Sequence, residues 1–184
     1  MKKLVAIVGM CGSGKSVASD YLENLGWNKI YFGGVTMNEL KKNNMEVNPE
    51  NEKYMREKLR KEYGMAAYAI LLLDEIKESI KEKDTVLDGL YSWDELKVLK
   101  DEFKDDIKVI AIVADKELRY GRLTSRDIRA LTNEEAKNRD IAEIENLAKG
   151  GPISYADYYI LNDGNIDLFN EKLTSIYNKI EKVK

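Results

Sequence analysis

One stretch constrains this chain more than any other: "GMCGSGKS", residues 9–16. It follows the apolar, β-branched run "KLVAIV" (residues 3–8) and leads into "VASDYLENLG", which has the spacing of an amphipathic helix. Gly9, four intervening residues, then Gly14-Lys15-Ser16 match G-x-x-x-x-G-K-[ST] at every position. Glycines at this spacing let successive backbone N–H groups point inward at one anion. The helix that begins there offers the same anion the positive end of its dipole. Lys15 reaches β- and γ-phosphates, and the Ser16 hydroxyl suits Mg²⁺. Gly9, Gly12, Ser13, Gly14, Lys15, Ser16 and Val17 are therefore the expected contacts to a bound nucleotide. Cys11 occupies a variable position of the motif and has no base beside it to activate a thiolate.

Composition narrows the chemistry. The chain has no histidine and one cysteine, so Ser-His and Cys-His nucleophile pairs and an internal disulfide are excluded, and a structural zinc site is not expected. What remains is chemistry by lysine, arginine, carboxylates, hydroxyls, backbone amides and an oxygen-held metal. A net charge of -3 in 184 residues speaks against a general nucleic-acid binder. No apolar run has the length of a membrane span. "MKKLVAIVGM" runs into a glycine loop rather than a cleavage site, so residues 3–8 read as a first strand and not as a signal peptide. The expectation is a cytoplasmic protein, a monomer or weak homo-oligomer, with neither nucleic acid nor membrane as partner.

Further candidate strands are residues 29–32, 85–88, 107–114 and 157–161, separated by amphipathic helical patterns. Such alternation builds right-handed βαβ units on a parallel sheet. The long helical pattern over 51–83 should break near Gly64. Thr132 with Glu135 forms a capping box, starting a helix expected to run to about Lys149 and stop at "GGP", residues 150–152. No linker composition appears, so residues 1–184 read as one α/β domain.

"TVLDGLYSW" puts Asp88 at the C-terminal end of a strand, the edge that faces the ligand crevice of a parallel sheet. An aspartate there suits Mg²⁺-bound water or the acceptor; an aspartate opening a turn with Gly89 is the alternative. Five of the seven arginines, Arg119, Arg122, Arg126, Arg129 and Arg139, fall within 21 residues. Arginine is favoured where a rigid fork grips phosphate. Arg119, Arg122 and Arg126 would share one helical face, over a migrating phosphoryl group or in surface ion pairs with Asp115, Glu117 and Asp127. Arg56 and Arg60 stand one turn apart; they equally fit an acceptor phosphate or pairing with Glu52, Glu57 or Glu62.

With its phosphate loop, "LDG", "ADKELRYGRLTSRDIR", "NRD" and closing "ADYYILNDG", the chain resembles the nucleoside monophosphate kinase group of P-loop proteins. Within that group it is most similar to dephospho-CoA kinases and archaeal adenylate-kinase-related proteins. The resemblance implies a three-layer P-loop NTPase fold with a five-stranded parallel sheet, a small helical lid at about 120–140 and an acceptor-binding region at about 33–65. It implies Lys15 on the donor phosphates, Arg122 or Arg126 at the lid base, Arg139 reaching in from the lid helix, Asp88 beside Mg²⁺, and Asn162 and Gly164 near the donor base. It also implies ATP and Mg²⁺ as cofactors and a small-molecule phosphate acceptor.

Two departures bear on that acceptor. Relatives carry "GD" and an arginine after the second strand, where this chain reads "YFGGVTMNEL" with Gly34 and Met37 at about those places; they often carry another arginine after "DG", where this chain has Tyr91 and Trp93. Gly33 and Gly34 join Arg56, Arg60, Tyr91 and Trp93 as the expected acceptor contacts. The aromatics Tyr31, Phe32, Tyr91 and Trp93 could line a pocket for a base, sugar or apolar group; Tyr31 and Phe32 equally fit as ordinary strand residues. The expected activity is ATP- and Mg²⁺-dependent phosphotransfer to a nucleotide, nucleoside or dephospho-CoA-like acceptor. The alternative is a regulatory NTPase switch without a small-molecule acceptor, although the N-K-x-D motif of GTP-specific switches is absent.

Overall fold

Every residue of the first strand, β1 (Leu4–Val8), is buried, as its unbroken apolar sequence requires of a strand covered on both faces. The computed structural model describes residues 2–127 and 130–182. Beside β1 lie β2 (Asn28–Tyr31), β3 (Thr85–Asp88), β4 (Ile107–Val113) and β5 (Tyr158–Leu161), each within a residue of its expected run. All pairings are parallel and the order is β2-β3-β1-β4-β5. The expected five-stranded α/β sheet is therefore present. Because the chain fills the side of β1 that holds β3 and the edge strand β2 before it crosses to the side of β4 and β5, a crevice opens at the C-terminal end of β1, where the glycine loop sits.

The helices are α1 (Lys15–Asn24), α2 (Gly34–Lys42), α3 (Pro49–Tyr63), α4 (Ala67–Glu82), α5 (Trp93–Phe103), α6 (Lys116–Thr124), α7 (Asn133–Leu147), α8 (Gly150–Ser154) and α9 (Ile166–Lys182). They cover both faces of the sheet. Leu4, Ala6 and Val8 of β1 face one core with Leu40, Met55, Leu59, Ile76, Leu96 and Leu99 from α2 to α5. Val5 and Ile7 face the other, with Ala18 and Leu22 of α1 and Phe169, Leu173 and Ile176 of α9. The period of two along β1 decides which helices each residue meets. A third, small cluster of Cys11, Tyr120, Leu123 and Ala136 fastens α6 and α7 to the glycine loop.

Local signals behave as their chemistry demands. Asn48 caps α3 by accepting from Asn51 N at 2.9 Å, with Pro49 in the first turn. Gly64, at φ 76°, ends α3 and separates it from α4. Both capping boxes, Ser92 with Glu95 and Thr132 with Glu135, are closed in both directions.

Two details correct the sequence reading. Helix α7 stops at Leu147 rather than near Lys149, where Ala148 turns left-handed at φ 47°, and "GGP" opens the short helix α8 instead of only ending α7. Helix α2, over "GVTMNELKK", was not anticipated because its glycine start and single turn pair of apolar positions carry little periodic signal. Among the described residues no helix is long and apolar enough to cross a membrane.

Candidate functional site

The glycine loop is built from outside in. Gly14 sits at φ 103°, a backbone state that suits glycine, and a Cβ there would strike the Asn162 amide. A Cβ on Gly12 would lie 2.7 Å from Arg119 O. The outer wall of the loop is thus closed by α6 and the end of β5, and only its inner side is open to a ligand. Asn162, 7% exposed, donates from Nδ2 to Ser13 O at 2.8 Å, and Arg122 donates from Nη2 to Asn162 O at 3.0 Å. Among the described residues Ser13 Oγ and Arg122 Nη1 are buried without a hydrogen-bond partner. Buried polar atoms of this kind normally find a partner, and a ligand in the cradle would supply one.

Lys15 opens α1 and donates from Nζ to Met10 O at 3.0 Å, a contact within the loop that a phosphate would replace. Burial, and then the like charge of Lys149, bring its pKa from 10.5 down to about 8. Asp88 ends β3 opposite Ile7 and is 6% exposed. Burial raises its pKa, against the opposing pull of the Ser19 hydroxyl and of Lys15. The Ser19 hydroxyl donates to Ser16 O at 2.9 Å, which ties the serine turn of α1 together beneath Asp88. Ser16 and Asp88 offer a hard hydroxyl and a carboxylate, the sparse oxygen set that suits Mg²⁺, which retains several waters. Among the described residues no group of three or more His, Cys, Asp or Glu could hold a metal by itself.

The arginine cluster divides. Arg119, 7% exposed, is consumed internally: it grips both oxygens of Asp140 at 3.0 and 2.6 Å and donates to Cys11 O at 3.0 Å. That pairing is with neither a ligand nor the surface carboxylates considered from the sequence. Helix α6 ends at Thr124, so Arg126 lies beyond it, exposed, and does not continue a face with Arg119 and Arg122. Arg129 lies outside the described residues. Arg139, on α7, donates from Nε to Glu143 at 3.1 Å.

Arg139 belongs to a second feature, a cavity of 520 Å³ between α2, α3 and α7. Arg56, Arg60 and Arg139 line it together with Gly33 and Tyr91. Arg56 leans on Glu52 at 3.5 Å. Arg60 stacks over the Tyr68 ring at 5.7 Å, and its Nε is buried without a partner among the described residues. Thr36 and Tyr68 hydroxyls meet at 2.7 Å in the wall. Tyr31 and Phe32 also line the cavity. Gly34 starts α2 beside it, and Gly164 is exposed next to Leu168. Trp93 takes a different place. It packs edge-on against Tyr155 with ring centroids 5.5 Å apart, under Gly151, in the seam between α5 and α8 rather than among the cavity residues.

Sequence reasoning missed Lys149 and Glu143. Lys149 is 1% exposed, bonds Glu143 Oε2 at 2.5 Å and stands 4.4 Å above the Tyr91 ring. Burial alone would push the Glu143 carboxyl up, but Lys149 and Arg139 outweigh it and hold it below the ordinary range. The Arg139–Glu143 spacing of four residues was legible as a helical pair; nothing in sequence marked Lys149 as buried.

With this geometry in view, the comparisons with known proteins agree. A family model described as "AAA domain" matches residues 5–145. A UPF0200 protein of Pyrococcus abyssi is 33% identical over 181 residues, covering 96% of each chain. Among solved structures, a shikimate kinase from Acinetobacter baumannii in complex with shikimate has a TM-score of 0.63 at 20% identity, over 100% of this chain and 97% of that one. A dephospho-CoA kinase from Campylobacter jejuni has a TM-score of 0.56 at 19% identity, over 97% of both. These two likenesses establish the P-loop kinase fold.

Proposed function

This chain belongs to the AAA domain family, alongside archaeal UPF0200 proteins, and from that premise we propose that it is an ATP- and Mg²⁺-dependent phosphotransferase acting on a small molecule. The acceptor is a nucleotide, a nucleoside or a dephospho-CoA-like compound. One observation supports the reading: an arginine-lined cavity lies near the glycine loop, with Glu143 of its lining close enough to act on the charge of Lys15 and Arg139 close enough to feel Cys11, as donor and acceptor sites of a transfer enzyme require.

In this reading Lys15 and the loop amides hold the donor phosphates. Ser16 and Asp88 would hold Mg²⁺, which neutralises phosphate charge when bound. Arg122 flanks the donor through Asn162, and Arg56, Arg60 and Arg139 orient the acceptor in the cavity. Residues of about 33–65 form the acceptor region and about 120–140 the lid. An acceptor oxygen forms the new bond to the γ-phosphorus while the bond from that phosphorus to the β–γ bridging oxygen breaks, and ADP leaves with the electron pair; a hydroxyl acceptor also releases its proton to solvent, whereas an ionised phosphate acceptor has none to lose. The residues act by positioning and charge neutralisation, without a covalent enzyme intermediate.

The direct test is a panel assay of labelled ATP with dephospho-CoA, the common nucleoside monophosphates and nucleosides. Labelled product with one acceptor class is the expected result. Hydrolysis to phosphate with every acceptor untouched would instead identify a regulatory NTPase.

A pH dependence follows from Lys15. Its neighbours are Lys149, Cys11, Glu143 and Asp88. With a pKa near 8 in the free protein, the amine is charged below that pH and loses its proton above it. Bound phosphate favours the charged form. ATP affinity should therefore be level below about pH 7.5 and fall as pH rises through 8, by up to about tenfold per pH unit until Lys15 in the complex also titrates. Titration calorimetry between pH 6.5 and 9.5 measures this; an affinity unchanged through pH 9 refutes it.

A further inference from the structure

We propose that Lys149 is a second phosphate-directed lysine, which meets the migrating phosphoryl group together with Lys15. The proposal rests on the phosphotransferase reading and assigns this residue a role within it.

Lys149 is almost fully buried, at 1% exposure, and among the described residues no other lysine is buried to that degree. A buried ammonium is costly unless paired. Its pairing here is incomplete. Of its three N–H donors, one meets Glu143 Oε2 at 2.5 Å, and no other acceptor is found among the described residues. That same carboxylate already serves Arg139, whose Nε lies 3.1 Å from Oε1. One negative charge is therefore divided between two cations. Lys15, which senses Lys149 more strongly than any other charge, adds a third. Asp88, the other carboxylate near Lys15, is the one suited to Mg²⁺. The arrangement holds a surplus of desolvated positive charge around one point, and an anion placed there would balance it.

The position of that point is fixed by Tyr91. Its ring lies 4.4 Å beneath the Lys149 ammonium. Tyr91, Arg139 and Glu143 all line the acceptor cavity, while Lys149 stands behind them, on the side toward Cys11 and Lys15 of the glycine loop. Glu143 and the Tyr91 face restrict the ammonium to the boundary between the two sites, where a phosphoryl group is halfway between ADP and its acceptor. A preorganised cation at that place stabilises charge that develops in transit and contributes little to holding the donor at rest. A strap that only joined α7 to α8 would need Glu143 and Lys149, but neither the sharing with Arg139 nor the placement beside Lys15.

The test separates these roles without knowledge of the acceptor. Dissociation constants for ADP·Mg²⁺ are measured with and without aluminium fluoride, which stands in for the migrating phosphoryl group. The proteins are the wild type, Lys149→Met, and the double variant Lys149→Met/Glu143→Gln, which leaves no buried carboxylate unpaired should the single variant misfold. Both variants are expected to bind ADP within about threefold of wild type and to lose about tenfold or more of the affinity gained with fluoride. A folded variant that keeps the full fluoride-dependent gain would overturn the role of Lys149 and leave the phosphotransferase reading intact. A wild type that binds neither ADP nor ATP would overturn that reading, and this proposal with it.

Discussion

Lys15→Ala is expected to reduce phosphoryl transfer by at least about 10²–10³-fold while the protein remains folded. The separation of the two effects follows from what Lys15 does in the free molecule. Its ammonium is desolvated, lies near Lys149, and has only Met10 O as a hydrogen-bond partner among the described residues. Removing it relieves repulsion between like charges and opens no cavity in either core, so the melting temperature should hold or rise slightly. The loss appears only when phosphate arrives, because no other side chain of the loop carries positive charge. Steady-state turnover with the acceptor found by the panel, read beside a thermal melt, checks both parts. Wild-type turnover in a folded Lys15→Ala protein would end the phosphate-loop account.

Arg119→Ala should have the opposite profile, with a large loss of stability. Arg119 and Asp140 are both buried, their bidentate contact joins α6 to α7, and the same guanidinium supports Cys11 O in the loop. Truncation strands the Asp140 carboxylate, with only the Tyr120 hydroxyl, at 3.3 Å, left to it among the described residues. Breaking one half of a buried pair costs about 3–5 kcal/mol. Replacing both halves by apolar residues, as in Arg119→Met/Asp140→Leu, should recover most of that loss, since the paired charges were themselves desolvated at a cost. Urea denaturation midpoints of the three proteins decide the matter. A single variant within about 1 kcal/mol of wild type would show that the pair is not buried as described.

The contrast between these two residues shows what the sequence could reveal. The phosphate loop was legible because each of its residue types answers a local need, and Lys15 lies beside the backbone it serves. Strands were legible from their apolar runs, and α7 from the Thr132–Glu135 box. The arginine cluster was legible as a cluster and misleading as a helical face. Whether Arg119 grips a ligand or Asp140 depends on how α6 meets α7, and that is decided by packing around Leu123 and Ala136 rather than by spacing. Lys149 was invisible for the same reason. A lysine before two glycines reads as solvent-facing until α8 packs against α5 and carries it beneath the surface. Trp93 was read as a pocket residue from its neighbours in sequence, but its ring fills the α5–α8 seam.

The bond from Asn162 to Ser13 joins positions 149 residues apart. During synthesis the glycine loop follows directly on β1, ahead of the other four strands, but the amide that secures it comes only after β5, the last strand of the sheet to appear. Until β5 has added to β4, Ser13 O lacks its donor and the loop lacks one wall. Contacts this distant in sequence form late and slow the folding of a chain. A nascent chain therefore carries the complete glycine loop through the synthesis of β2, β3 and β4 without a finished cradle, and competence to hold the proposed donor phosphates arrives together with completion of the sheet.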